Sequence, residues 1–318
     1  MIRYPRFLAL HRDIRTCQEL SLMTGEAHCM SLEGPPGAGK TTLVRDYAAL
    51  FPPEEGPDGI YFPVFYLEMP SPATTKGTAS KWLERMGDPA AFRGTQASLD
   101  SRLIKLIIAC HVRLVILDDF HHLIDTESDR VLERVSDWLK VLIKETGVSF
   151  LVVGIEGKVE RILRANSQLS RLFAVRETLA PFAWDWSDPQ TMSEFHHFVH
   201  YAEQLVGLPL TTALSREELL SRLHYASDGI VANLMNMLRS AALYARDTAE
   251  DTLSLSTLDH AFNKRLAKHL PNKTNPFIAA HGDHFHVPIG VVGTDTSTTS
   301  TSRRKQREPS VGQVLTTR

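Results

Sequence analysis

Cysteine is scarce: 318 residues hold three, Cys17, Cys29 and Cys110. An odd, widely spaced set excludes a scaffold built on disulfides and suits reduced thiols. No apolar run approaches the ~20 residues of a membrane-spanning helix. The start, Met-Ile-Arg-Tyr-Pro-Arg, lacks the apolar core of a signal peptide. A cytoplasmic protein with no membrane partner is therefore expected. An excess of one charge is missing too. With a net charge of −2 the whole-molecule field attracts no polyanion, so any nucleic-acid surface must be a local patch. Internal repeats are absent. What is present is ordinary globular material, 43% hydrophobic. It suffices for one large α/β domain with a small partner domain or a tail.

Strand and helix signals alternate through the first part of the chain. Residues 1–27 form a helical lead-in, with Ile14, Cys17, Leu20 and Leu22 loosely at helical spacing. A buried strand is expected from His28 to Leu32, a helix from Thr41 to Leu50, and a second strand from Tyr61 to Leu67. Two helices follow in 72–110, split by a loop near 87–95; the second sets Leu99, Leu103, Leu106, Ile107 and Cys110 on one face. A third strand is Leu114–Leu117. Val131, Leu132, Val135, Trp138, Leu139, Leu142 and Ile143 then trace an amphipathic helix, with Thr126 or Ser128 as N-cap. Val148–Val153 and Val175–Phe182 complete the apolar segments. This alternation predicts a parallel sheet with helices on both faces. Beyond Asp185 only helical stretches remain, near 189–206, 215–226, 230–246 and 255–268. The expected organisation is a lead-in (1–27), an α/β core (28–185), a small all-helical lid (186–270) and a C-terminal segment (271–318). The last is disordered from about 279 and carries the basic knot Arg303, Arg304, Lys305, Arg307.

Two segments carry chemistry. Gly34-Pro35-Pro36-Gly37-Ala38-Gly39-Lys40-Thr41 fits G-x-x-x-x-G-K-[ST], after a strand and opening a helix. Glycines let backbone N–H groups turn around phosphate oxygens, and the helix N-terminus favours the same anion. Lys40 is expected to reach the β- and γ-phosphates of a nucleoside triphosphate, ATP, and Thr41 to ligate Mg²⁺. The second segment, Leu114-Val115-Ile116-Leu117-Asp118-Asp119, ends a buried parallel strand in two acids beside that loop. Asp118 suits the Mg²⁺ shell, and Asp119 is placed to orient or deprotonate the attacking water. His121 and His122 are expected to diverge and not to share a metal ion; one of them has a structural or γ-phosphate-sensing role. His196, His197 and His200 are expected on a solvated helix face. Arg161, Arg164 and Arg171 follow the fourth strand, on the side where a neighbouring subunit's phosphate could sit.

The order of loop, acid pair, further strand and helical lid resembles an AAA+ ATPase domain. Within that class the chain resembles the TniB family of transposition ATPases, related to the TnsC regulators. The resemblance is carried by Tyr4-Pro5-Arg6, Gly34–Thr42, Asp118-Asp119-Phe120-His121-His122-Leu123, Gln168-Leu169-Ser170-Arg171-Leu172-Phe173 and Asn275-Pro276-Phe277. It implies an ATPase that binds double-stranded DNA and oligomerises as a ring or filament. It also implies that the oligomer recruits a transposase and communicates with a target-selection protein. It assigns nucleotide binding to Gly34, Pro35, Pro36, Gly37, Ala38, Gly39, Lys40, Thr41 and Thr42, metal to Thr41 and Asp118, and catalysis to Asp119 with Arg171 acting in trans.

Three departures accompany the resemblance. The second acid is Asp119 where this class usually has Glu, and its shorter reach predicts slow hydrolysis. The strand-four end, Gly154-Ile155, offers no polar side chain. The lid reads Gly229-Ile230-Val231-Ala232-Asn233, without an arginine beside the glycine. For DNA, the candidates are Lys76, Lys81, Arg93, Arg102 and Lys105, between strands two and three. The alternative is a signalling or scaffold NTPase of the same fold that binds proteins and never DNA.

Overall fold

The computed structural model describes residues 2–57, 59–71, 73–124 and 128–278. The tail expected to be disordered, with its basic knot, and the N-cap candidate Thr126 lie outside these residues.

The chain opens with helix α1 (Pro5–Thr24), strand β1 (Met30–Gly34) and helix α2 (Lys40–Ala49). A hairpin of β2 (Glu54–Gly56) and β3 (Gly59–Tyr61) precedes β4 (Val64–Glu68). Then come α3 (Thr75–Arg85), α4 (Gln96–Ala109), β5 (Leu114–Asp118), a 3-10 turn (Phe120–Leu123), α5 (Asp129–Thr146) and β6 (Ser149–Ile155). Short helices α6 (Lys158–Arg164) and α7 (Ser167–Leu172) lead to β7 (Val175–Thr178). Four helices end the described chain: α8 (Pro189–Val206), α9 (Arg216–Ser227), α10 (Val231–Asp247) and α11 (Leu255–Arg265).

The main sheet runs β4-β5-β6-β1-β7, every pair parallel. Its inner strands are apolar on both faces because helices cover both. Side-chain alternation divides each strand between two cores. Leu114, Ile116, Leu151 and Val153 face α1, α2 and the terminal helices. Val115, Leu117, Phe150 and Val152 face α3 to α7. The terminal helices thus share one continuous apolar core with a face of the sheet, through Phe195, Phe198, Leu223 and Leu238.

Two local expectations are corrected. The second strand starts at Val64, since Tyr61 pairs with Glu54 in the hairpin and Pro63 separates the two strands. In α1 the buried seam is Phe7, Leu10, Ile14, Cys17 and Ser21; Leu20 and Leu22 are exposed. The seam repeats at i+3, i+4 and i+7, which Leu20 and Leu22 do not continue. In α4, Leu99, Leu103 and Ile107 are buried while Leu106 and Cys110 sit at the margin. Ser128 is the N-cap of α5, but its side chain makes no capping bond.

Candidate functional site

In a parallel sheet every strand ends on the same edge, and that edge gathers the site. β1 ends at Gly34, and residues 35–39 turn into α2. Gly37 (φ 81°) and Gly39 (φ 104°) take left-handed backbone that a Cβ resists. Ala38 is buried, and its N–H donates to the Pro35 carbonyl at 3.3 Å. The Lys40 ammonium, itself buried, donates to the carbonyls of Gly34 (2.8 Å) and Pro35 (2.9 Å), the loop's own stem. Burial lowers the Lys40 pKa, opposed by Asp118, Asp119, Glu156 and Glu33. Thr41 and Thr42 line the same cavity as Lys40.

Asp118 ends β5 with no solvent exposure. Burial raises its pKa, while hydrogen bonds from the Thr41 and Tyr66 hydroxyls and the Asp119 N–H favour the carboxylate. The Tyr66 hydroxyl donates to Asp118 Oδ2 at 3.0 Å, and Arg45 Nε donates to the Tyr66 oxygen at 3.0 Å. Arg45 also pairs with Glu68. Nothing in the motif spacing points to Tyr66; its strand neighbours β5 with Tyr66 in register with Ile116, next to the acid end. Burial pushes the Tyr66 phenol up, so it remains a donor. Thr41 and Asp118, assigned to one metal ion, are thus neighbours.

Asp119 is half-buried in left-handed backbone (φ 52°). That conformation turns the strand into the 3-10 turn that carries both histidines. The expectation that they diverge is overturned. Their ring centroids lie 4.3 Å apart, and with Asp119 they bring ligand atoms within 4.8 Å of one another. Successive side chains leave a 3-10 turn about 120° apart, so the two imidazoles meet by swinging about their side-chain torsions. Glu33, a second residue missed from sequence, caps α6: its carboxylate accepts from the N–H groups of Gly157 (3.1 Å) and Glu160 (2.7 Å).

The loop, Asp119 and His121 line a cavity of about 550 Å³. Apolar side chains line it as well, among them Ile2, Phe7, Phe198, Leu205 and Met235. The N-terminal segment reaches it because Arg6 pairs with Glu194 (2.5 Å) and donates to the Ala180 carbonyl (2.9 Å), and Tyr4 is buried. The terminal helices meet the loop directly. The Ala232 N–H, in the first turn of α10, donates to the Gly37 carbonyl at 3.0 Å. A Cβ on Gly37 would lie 2.9 Å from the Ala232 Cβ. No arginine stands beside Gly229, but Arg239 further along α10 lines the cavity.

The arginines after β6 differ. Arg164 pairs with Glu160 at 2.8 Å, whereas Arg171 is exposed on α7 without a hydrogen bond or ion pair among the described residues. Arg161 is exposed on α6. Of the DNA candidates, Arg102 is a loop tie, pairing with Asp88 (3.1 Å) and donating to the carbonyls of Ala90 and Arg93. Lys81 is half-buried with its ammonium 3.5 Å from the Glu68 carbonyl. Lys76, Arg93 and Lys105 are exposed. The remaining motif pieces have structural roles. Leu169 and Phe173 are buried. Asn275 donates to Asp259 at 2.7 Å, buried Arg222 donates to the Pro276 carbonyl at 3.0 Å, and Phe277 is buried.

A model of the bacterial TniB protein family matches residues 1–182. No curated protein matches. Among solved structures the chain is similar to Cdc6p from Pyrobaculum aerophilum, with a TM-score of 0.61, 14% identity, and 84% of this chain and 69% of that one covered. It is also similar to the Aeropyrum pernix ORC2 protein in its ADPNP–ADP complexes (0.58, 17%, 86% and 71%). A third is the Aeropyrum pernix ORC1 protein in complex with DNA (0.56, 16%, 86% and 69%). At these identities the likeness is one of fold, that of AAA+ ATPases. Among the described residues no helix is long and apolar enough to cross a membrane.

Proposed function

The chain belongs to the bacterial TniB family, a transposition-associated family of AAA+ ATPases, and on that premise we propose that it is an ATP-gated regulator of DNA transposition. ATP drives its assembly as a ring or filament on double-stranded DNA, the assembly recruits a transposase and answers to a target-selection protein, and slow hydrolysis resets it. The observation that carries this reading is the Gly37–Ala232 hydrogen bond. Through it, the backbone that cradles phosphate is also the seat of α10, so filling the loop bears directly on the helices beyond the sheet. A nucleotide signal needs such a shared contact.

In this reading, α8 to α11 are the lid of the core. Lys40 leaves its carbonyl partners for the β- and γ-phosphates, and the loop's N–H groups hold the phosphate oxygens. The residues present fit Mg²⁺: a buried carboxylate, Asp118, held beside the Thr41 hydroxyl by Tyr66. When bound, that ion neutralises charge on the phosphates. Asp119 orients the attacking water, and its short side chain keeps turnover slow. Arg171, supplied by a neighbouring copy, completes the site.

Size-exclusion chromatography and negative-stain imaging with a non-hydrolysable ATP analogue test the proposal. Rings or filaments that need both analogue and duplex DNA are expected, and Lys40→Ala is expected to abolish them. Monomers under every condition refute it. Assembly with nucleotide that ignores DNA points to the protein-only scaffold.

A further inference from the structure

Gly154 lies at the crowded centre of the site. It is in register with Glu33 on β1, while Val152 of the same strand is in register with Leu117 on β5. The end of β6 therefore separates the stem of the phosphate loop from the acid pair. A side chain there would lie on the same face as Val152, toward α6 and the 3-10 turn, but there is no room for one. A Cβ on Gly154 would come within 2.6 Å of Val159 Cγ2 and 3.2 Å of His121 Nδ1. The imidazole of His121 fills the place that the strand end leaves vacant. It arrives there because left-handed Asp119 turns the chain back over β6.

His121 is 8% exposed and lines the cavity with Lys40, Thr41 and Asp119. Its Nδ1 is sealed from solvent without a hydrogen-bond partner, and Nε2 has none either among the described residues. A buried polar group left unpaired is costly, and most are satisfied in folded proteins. The sealed Nδ1 lies beside Gly154, so the nitrogen left to bond an arriving phosphate or water is Nε2, on a ring that lines the cavity beside Lys40.

We infer that His121 is a positioning residue that reads the third phosphate: its imidazole hydrogen-bonds the terminal phosphate, or the water held against it, in the place of a side chain at Gly154. This rests on the nucleotide reading above and deepens it. The chemistry suits a neutral ring. Burial and the neighbouring His122 push the His121 pKa down to about 4. At pH 7 it therefore keeps one donor and one acceptor nitrogen, and can bond a phosphate oxygen or a water. Being neutral, it distinguishes three phosphates from two by a bond that only the third provides.

Calorimetric affinities for ADP and for a non-hydrolysable ATP analogue, in full-length wild type, His121→Leu, His121→Gln and His122→Ala, test the inference. His121→Leu fills the space without hydrogen-bonding, and a thermal melt checks that it folds. It is expected to weaken the triphosphate analogue by roughly ten- to hundred-fold, the worth of one hydrogen bond to a charged group. ADP affinity is expected to stay within two-fold, and His122→Ala to resemble wild type. His121→Gln, which keeps a donor and an acceptor, is expected to recover part of the triphosphate preference. It also serves as the test if the leucine variant unfolds, since a purely structural histidine leaves its triphosphate-to-ADP ratio unmoved. A ratio within two-fold of wild type in folded variants overturns the inference. Wild type that binds neither nucleotide overturns the nucleotide reading itself, and this inference with it.

Discussion

Replacing Tyr66 by Phe removes a single oxygen, yet that oxygen holds the acid proposed to ligate Mg²⁺. Asp118 has no solvent exposure, so water cannot replace the lost donor. A hydrogen bond to a buried charged group contributes about 1.5–3 kcal/mol. The Asp119 N–H remains at 2.9 Å and the nearby Thr41 hydroxyl also favours the carboxylate, so the low end applies. That corresponds to about a ten-fold weaker response to Mg²⁺. The sign with pH follows from the causes. Burial raises the Asp118 pKa and the Tyr66 hydrogen bond opposes it. Without Tyr66 the carboxylate takes up a proton more readily, so the deficit grows as pH falls. The assay is ATP hydrolysis or fluorescent-nucleotide binding titrated with Mg²⁺ at several pH values, beside nucleotide binding in EDTA. Binding in EDTA is expected to be unchanged. Arg45→Ala, which removes the donor to the Tyr66 oxygen and the partner of Glu68 but leaves the phenol on Asp118, is expected to shift the Mg²⁺ midpoint by less. A Tyr66→Phe midpoint within two-fold of wild type at every pH refutes the reasoning.

Gly37→Ala places a Cβ 2.9 Å from Ala232 Cβ and 3.1 Å from Ile230 Cγ2, on left-handed backbone. Conformation costs about 1–2 kcal/mol and overpacking about 1–3 kcal/mol. The melting temperature is therefore expected to fall by several degrees, together with nucleotide affinity; an unchanged melt contradicts the Gly37–Ala232 contact. His224 is held neutral mainly by burial, with its folded pKa below 6.5, and hydrogen-bonds the Phe182 carbonyl at 2.7 Å. The unfolded chain then binds the extra proton, so stability is full above about pH 6.5 and is lost as pH falls toward the depressed folded value. Melts from pH 7.5 to 5 are expected to show this loss, and His224→Gln to make the decline shallower. Arg171→Ala is expected to bind nucleotide normally but to hydrolyse it at least ten-fold more slowly in assemblies. Mixing it with Asp119→Asn, which keeps nucleotide binding and its own Arg171, is expected to restore part of the turnover, and failure of that complementation argues against action in trans.

Legibility from sequence followed the range of the interaction. The phosphate loop is local: strand, glycines, lysine and helix are contiguous, and the left-handed φ at Gly37 and Gly39 is a property those residues carry alone. The amphipathic α5 and the four terminal helices were equally readable, because a 3.6-residue period needs no partner to be seen. The hairpin at 54–61 was not. Its strands are three residues each and mostly exposed, with no apolar alternation. The buried face of α1 was misplaced because its seam includes Ser21, which hydrogen-bonds across to Ser149. A polar residue facing a polar partner leaves no hydrophobic trace in the sequence. Arg102 reads as a free surface charge until the 88–93 loop folds round it.

The candidate site divides along the same line, and its illegible part has a shared cause. Lys40, Thr41, Asp118 and Asp119 are set by motif spacing. Tyr66 and Glu33 act on other strands or helices, through registers that exist only once the sheet is assembled. Gly154 is the sharpest case. Read alone, the end of strand four looks deficient, a position that should be polar and is not. In the folded sheet the glycine is required, because Val159 and His121 already occupy the volume of its side chain. A missing side chain on one strand is therefore no measure of what the site lacks. The polar group that stands over Gly154 comes from the turn after the neighbouring strand, carried there by the left-handed backbone of Asp119. The same residue that shortens the reach of the acid pair thus also aims the imidazole, the first through its carboxylate and the second through its backbone, so substitutions at Asp119 separate hydrolysis from the preference for triphosphate. Asp119→Asn keeps the left-handed tolerance and loses the carboxylate. It is expected to slow turnover while leaving the triphosphate-to-ADP affinity ratio intact, whereas Asp119→Val, which resists that backbone, is expected to lose both.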